Sequence, residues 1–267
     1  MSTEQIDQIT KIAHEQHFDS ILEQAEALKI LLSDNETVDV VVLGQFKAGK
    51  SSLINSFLKD PVLPVGVLPV TAVITRLTYG EEKKSVIEKF NGEKEEISVD
   101  RLHEYITEKN NPENKKKVLL TDIRLPELKQ FKNLRFIDTP GLGSAFKHNT
   151  EVTQNWFKNI GAAIVVISAA QPLSENDIEL IRAAVEQSPE VDLILSKTDL
   201  VDANEIYDVE VFIDERVNEV FGRTFRIFPY STLNDTGKYQ QAIIEGIIKR
   251  FSDQAPETNR RIFDHKL

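Results

Sequence analysis

The sequence predicts an α/β fold, with a mainly parallel central sheet and helices on both faces, on three observations. Strand-like and helix-like segments alternate through the second half of the chain, the rhythm of crossover units that pair parallel strands. The β-branched run from Val38 to Leu43 is too short for a buried helix and suits a central strand. The chain has 267 residues, 40% hydrophobic and 28% charged, which is enough length and apolar content for one large core plus a helical appendage.

Taken in order, apolar residues at Ile6, Ile9, Ala13, Ile21, Ala25, Leu28 and Leu32 form one helical stripe, so residues 1–34 read as an amphipathic helix. After the Val38 strand, Lys50 to Leu58 reads as a helix. Asp60 to Val70 carries three prolines and a glycine and can be neither helix nor central strand. Val73 to Tyr79 and Ser85 to Phe90 read as strands, and Asn91-Gly92 marks a hairpin into a charged strand ending at Val99. Asp100 is expected to cap a short helix through Ile106, and Glu108 to Lys117 to be a solvated Lys-rich loop. Strands are then expected at Leu134 to Ile137, Ala163 to Ser168, Leu193 to Leu195 and Phe225 to Tyr230. Helices are expected near Val152 to Ile160, Ser174 to Glu186, Ile206 to Val220 and Lys238 to Phe251. Pro256 interrupts the end, and residues 252–267 read as a hinge and a further helix.

Charge excludes some functions. Lys and Arg total 32 against 43 Asp and Glu, a net −11, the wrong sign for holding a phosphate backbone by counterion release. Nucleic acid is not an expected partner. The absence of cysteine excludes disulfides, thiolate metal sites and a cysteine nucleophile, and fits a reducing compartment. The first residues lack a signal-peptide pattern and no apolar run approaches the roughly 20 residues of a membrane span, so a cytoplasmic location is expected.

The chemistry is carried by three short motifs. Gly44-Gln-Phe-Lys-Ala-Gly-Lys-Ser51 matches G-x-x-x-x-G-K-[ST] between a strand and a helix, where glycines let backbone N–H groups wrap a phosphate. Gln45, Phe46, Lys47, Ala48, Gly49, Lys50, Ser51 and Ser52 are thus expected around the phosphates of a nucleotide, with Lys50 on the β/γ-phosphates and the Ser51 hydroxyl on Mg²⁺. Asp138-Thr-Pro-Gly141 follows a strand at the carboxyl edge of the sheet, where Asp138 can serve the Mg²⁺ shell and the Gly141 N–H can meet a γ-phosphate. Ser196-Lys-Thr-Asp199 closes another strand. There Asp199 can accept two N–H groups of guanine with the Lys197 stem over the ring, which favours GTP over ATP; Ser196 is a weaker match than Asn. Ser231, after the strand ending at Tyr230, is expected at the guanine rim or as a plain turn serine.

With Gly44 to Ser52, Val70-Thr71, Asp138 to Gly141 and Ser196 to Asp199 in this order, residues 38–251 resemble the GTPase domain of the dynamin superfamily, particularly bacterial dynamin-like proteins. The phosphate loop ends Gly-Lys-Ser-Ser, Thr71 sits in a Pro-rich loop, and an extra region, about Glu81 to Lys117, precedes Asp138. Leu142 stands where Ras-like enzymes place a water-positioning Gln. The resemblance implies a P-loop GTPase fold that hydrolyses GTP to GDP with Mg²⁺. Thr71 would bind Mg²⁺ and orient the attacking water, and heads would form a homodimer across the nucleotide. It leaves two readings of Lys47, where dynamins carry a Ser that helps hold a monovalent cation: an ammonium that replaces that cation against charge developing between the β- and γ-phosphates, or a solvated lysine. The terminal helices resemble the arms that form a neck beneath the head. The chain therefore reads as a head with part of its neck, lacking the stalk and tip through which such proteins contact membrane lipid. A slow GTP-dependent recruitment switch, without a mechanical role, stands as the alternative.

Overall fold

The computed structural model describes residues 3–16, 18, 21–22, 36–58, 60–66, 73–140, 161–233 and 237–266. The elements in order are α1 (Thr3–Glu15), β1 (Val38–Gly44), α2 (Lys50–Ser56), β2 (Ile74–Tyr79), β3 (Lys84–Lys89), β4 (Lys94–Ile97), α3 (His103–Ile106), β5 (Val118–Leu125), β6 (Leu134–Asp138), β7 (Ala162–Ser168), α4 (Glu175–Gln187), β8 (Val191–Ser196), α5 (Ala203–Phe221), β9 (Ile227–Tyr230), α6 (Lys238–Ile243), α7 (Lys249–Asp253) and α8 (Ala255–Lys266). A π-helical stretch, Ile244–Ile248, joins α6 to α7.

The described strands form one sheet in the order β4-β3-β5-β2-β6-β1-β7-β8-β9. The six-residue run from Val38 is central because both of its faces are apolar. Val38, Val40 and Val42 enter one buried cluster with α2, α6 and α8, whereas Val41 and Leu43 enter a second with α4 and α5. From β6 through β9 every pairing is parallel, which brings the carboxyl ends of β1, β6, β7, β8 and β9 to one edge. The expectation of an α/β fold with helices on both faces holds.

The other half of the sheet differs from expectation. β5 is an additional strand, parallel to β2 and antiparallel to β3, and β2 runs antiparallel to β6. The stretch after the Lys-rich loop therefore adds a strand between the hairpin and the rest of the sheet. The turn before α3 is capped by Ser98, whose side chain accepts from Asp100 N, so Asp100 is inside the 3-10 turn and not its cap. Helix α1 occupies the first part of the N-terminal stripe. Ile21, the next member of that stripe, is helical and exposed, whereas Ala25, Leu28 and Leu32, and the helix expected at Val152 to Ile160, lie outside the described residues.

Pro256 sits in the first turn of α8, where a missing N–H costs no hydrogen bond. Beyond it α8 is docked. Ile262 and Phe263 are buried, Asn259 Nδ2 donates to Thr37 O at 3.0 Å, and Arg261 Nε meets Glu190 Oε1 at 2.6 Å. Glu190 also pairs with Arg250 at 3.3 Å. One residue into β8, the 1% exposed Asp192 takes both Arg226, at 2.5 Å, and Arg250, at 2.7 Å. This network joins α7, α8 and the start of β9 to the amino end of β8, opposite the edge that carries the motifs.

Candidate functional site

The site grows from the turn between β1 and α2. Gly44 must be glycine, because a Cβ there would stand 2.6 Å from Val166 O on β7; Gly49, at φ +102°, occupies a conformation that side chains disfavour. Lys47, between them, is itself left-handed at φ 64°, and Ala48 N returns to Gln45 O at 3.2 Å. Lys50 is buried, and its ammonium donates to the carbonyls of Gly44 and Gln45, at 3.1 Å each. Burial pushes its pKa below the usual lysine value, while Asp138 pulls it back.

Ser51 Oγ donates to Asp138 Oδ2 at 2.7 Å, across 87 residues of sequence. Asp138 is fully buried at the end of β6, and next to it Thr139 Oγ1 donates to Val42 O at 2.9 Å, holding the two strand ends together. A hydroxyl and a carboxylate meeting at the mouth of the loop are hard oxygen donors of the kind Mg²⁺ takes. That ion commonly uses one or two protein ligands and completes its shell with phosphate oxygens and water. Consistent with this division, the described residues hold no group of three or more His, Cys, Asp or Glu that could bind a metal by themselves.

Ser196 is 1% exposed, and its hydroxyl lies 2.5 Å from Ala48 O and 3.1 Å from Ile167 O. The side chain therefore braces the phosphate loop against β7 and β8. Lys197 is left-handed at φ 57°, which turns the chain so that Asp199 comes to the edge, where it accepts from Ser231 Oγ at 2.5 Å. Ser231 is buried and also receives Leu233 N at 3.0 Å, so it orders the loop after β9 as well as the acid. Half-buried Ser52 lines a cavity of about 440 Å³ that runs to Tyr230, Ser231, Thr232 and Gln240, a size within the range of small-molecule sites.

The structure thus gathers Gln45, Phe46, Lys47, Ala48, Gly49, Lys50, Ser51, Ser52, Asp138, Ser196, Lys197, Asp199 and Ser231 at one edge of the sheet. Lys47 is exposed, with its Nζ 5.3 Å from the Phe46 ring centroid. Thr71 and Gly141 lie outside the described residues. One participant had no sequence motif: Asn55 is buried on α2, where its Oδ1 accepts from Val62 N at 3.1 Å and Leu63 N at 3.0 Å and its Nδ2 donates to Leu63 O at 2.8 Å. It fastens the first part of the Pro-rich loop to the helix that follows the phosphate turn. An asparagine inside a helix, where it is a poor helix former, was the available signal.

Residues 40–197, more than half of the chain, match the family model described as the dynamin family. The chain belongs to the dynamin family. An uncharacterised protein from the xynA 3′ region of Caldicellulosiruptor sp. strain Rt8B.4 is 33% identical over 262 residues, which cover 98% of this chain and 63% of that relative. Dynamin-like protein 2 of Campylobacter jejuni is 33% identical over 187 residues, covering 69% of this chain and 30% of the relative. The bacterial dynamin-like protein of Nostoc punctiforme is 26% identical over 223 residues, covering 77% and 32%. A solved structure described as an oligomerised bacterial dynamin pair, with a mechanism for long-range sensing and tethering of membranes, shares the fold at a TM-score of 0.65 and 20% identity, covering 92% of this chain and 39% of that one. This dynamin-family chain therefore spans less than two thirds of the length of these relatives.

Proposed function

We propose that this chain is the GTP-binding and GTP-hydrolysing head of a dynamin-like protein, with Mg²⁺ held by Ser51, Asp138 and Thr71. The observation that carries the reading is the 2.7 Å contact between Ser51 and Asp138 beside the buried Lys50. Two motifs far apart in sequence converge there on one point that offers a cation, a hydroxyl and a carboxylate. In this reading Lys50 and the Gly141 N–H neutralise charge on the phosphates, and Thr71 orients water. Asp199 accepts two N–H groups of guanine under the Lys197 stem. Ser196 acts indirectly, by fixing Ala48.

Three exposed apolar side chains support head-to-head pairing across the nucleotide. Phe46 lies in the phosphate loop, Leu200 follows Asp199, and Leu233 follows Ser231; they are 41%, 60% and 79% exposed. All three lie in loops that carry site residues, so a partner that covered them would also cover the nucleotide. Pairing would move the terminal helices and, in a longer parent, remodel membrane. A slow recruitment switch is the competing reading, supported by the absence of a water-positioning Gln at Leu142.

Titration with Mg²⁺-GTP and Mg²⁺-ATP tests the base assignment. GTP should bind more tightly, and Asp199→Ala should weaken GTP about 10- to 100-fold while leaving ATP nearly unchanged, the value of a hydrogen bond to a charged group. Comparable affinities for the two nucleotides in the wild type would overturn it.

A further inference from the structure

The phosphate loop is tied to helix α4 by a side-chain contact that the phosphate motif does not require. Gln45 Nε2 donates to Ser174 Oγ at 2.6 Å, across 129 residues of sequence. Ser174 is the N-cap of α4, with a complete capping box: its hydroxyl accepts from Asp177 N at 3.3 Å, and Ser174 N donates to Asp177 Oδ2 at 2.9 Å. The hydroxyl proton goes to Asp177 Oδ2, at 2.8 Å. The three side chains therefore form a chain with one direction, amide to hydroxyl to carboxylate, and Asp177, its last member, is 3% exposed and held on α4.

The main chain bends sharply at both ends of this link. Among the described residues, six that are not glycine have positive φ; Lys47, at 64°, is two residues after Gln45, and Leu173, at 55°, immediately precedes Ser174. Such conformations persist only where surrounding contacts hold them, and they gather at functional sites. The Gln45 carbonyl has a second task, since it accepts Lys50 Nζ at 3.1 Å. Whatever fixes the Gln45 side chain also fixes one of the two carbonyls on which the buried lysine rests.

We infer that Gln45 is a positioning residue for phosphoryl transfer, which sets Lys50 and the Phe46-Lys47 limb of the phosphate loop by hydrogen bonding to the Ser174 cap of α4. The inference rests on the GTPase reading. It assigns Gln45 a task beyond lining the phosphate loop, and it gives α4 a direct hold on that loop. Because Lys50 reaches the β/γ-phosphates, loosening it should affect the triphosphate more than the diphosphate. The lost contact is one neutral hydrogen bond, worth about a fivefold change.

The test compares wild type, Gln45→Ala, Ser174→Thr and Ser174→Ala for GTP and GDP affinity, steady-state turnover and thermal melting. Gln45→Ala leaves the cap of α4 intact. It should lower kcat and the ratio of GTP to GDP affinity about fivefold, with no more than the small fall in melting temperature that one lost hydrogen bond brings. Ser174→Thr keeps a hydroxyl at the cap and should behave as wild type. Ser174→Ala should reproduce the kinetic loss and also lower the melting temperature, and the double variant Gln45→Ala/Ser174→Ala should be no worse in kcat than Ser174→Ala alone. Wild-type turnover in Gln45→Ala, or equal loss of affinity for GTP and GDP, would overturn the inference while leaving the GTPase reading standing. A wild type that binds neither nucleotide in the presence of Mg²⁺ would remove both.

Discussion

At the scale of single residues, Lys50 is a charge that the fold holds in place. Its ammonium is buried on carbonyl oxygens, with burial lowering its pKa and Asp138 opposing that shift. The sign follows from the direction. In the free protein, the cost of keeping Lys50 charged is fully present below its folded pKa and is relieved as pH rises from there towards the unfolded value near 10.5. A bound phosphate favours the charged form and raises the pKa again, so binding takes up a proton in the window between the free and bound values. Nucleotide affinity should therefore fall as pH rises through that window, by up to about tenfold per pH unit. Binding heats measured in buffers of different ionisation enthalpy should show the proton uptake, and Lys50→Met should bind weakly with no such linkage. The phosphate motif was legible because its residues are consecutive and each has a local reason to be there. The brace from Ser196 to Ala48 and the link from Gln45 to Ser174 were not, since they span 148 and 129 positions and depend on which strand lies beside β1.

At the scale of elements, the same distinction explains the strand that went unseen. The β5 segment Val118–Leu125 follows a lysine run and carries Asp122 and Arg124, which break the apolar pattern of a strand. In the sheet, Asp122 lies opposite Arg76 on β2, and their side chains meet at 3.0 Å, so a charge that reads as a loop signal is paired across the ladder. The ion network at the other end of β8 obeys the same physics under greater burial. Burial raises the pKa of Asp192 while Arg250 and Arg226 hold it down, and Arg250 in turn is lowered by burial. For an acid whose folded pKa lies above its unfolded value, the cost is absent at low pH, builds as pH rises from the unfolded pKa, and is complete above the folded pKa. Removing Arg250 leaves Asp192 with Arg226 alone and strips Glu190 of one partner. Arg250→Met should therefore cost about 3 kcal/mol near neutral pH, as for other broken buried pairs, and recover part of that loss on acidification as Asp192 takes a proton. Urea unfolding at several pH values checks both the size and the direction. Because Glu190 also holds Arg261, the variant should increase hydrogen exchange in α8 before the sheet opens.

At the scale of the whole molecule, the sheet has two working ends. Its carboxyl edge gathers the phosphate loop, Asp138 and the acid proposed to read the base, while its amino edge docks α8 through Asn259 and the arginine network. β8 connects them, running from Asp192 in the network to Ser196 beneath Ala48, so one fully buried strand links the contacts of the terminal helix to those of the phosphate loop. The two proposed readings differ in whether the head works alone or in pairs, and the exposed Phe46, Leu200 and Leu233 are the surface that the paired reading would cover. If two heads close over the nucleotide, water is excluded and donors on the facing surface act at low dielectric, where a single well-placed contact is worth about 10² in rate. Turnover per molecule should then rise by about that factor as protein concentration increases through the dimer dissociation constant. Leu233→Ser should move the rise to higher concentration without changing the plateau, since the residue supplies contact area and no group to the chemistry. Steady-state phosphate release across a concentration series, with sedimentation of the GTP-bound protein in parallel, decides the matter. A slow rate that stays flat over the whole series would instead select the solitary switch.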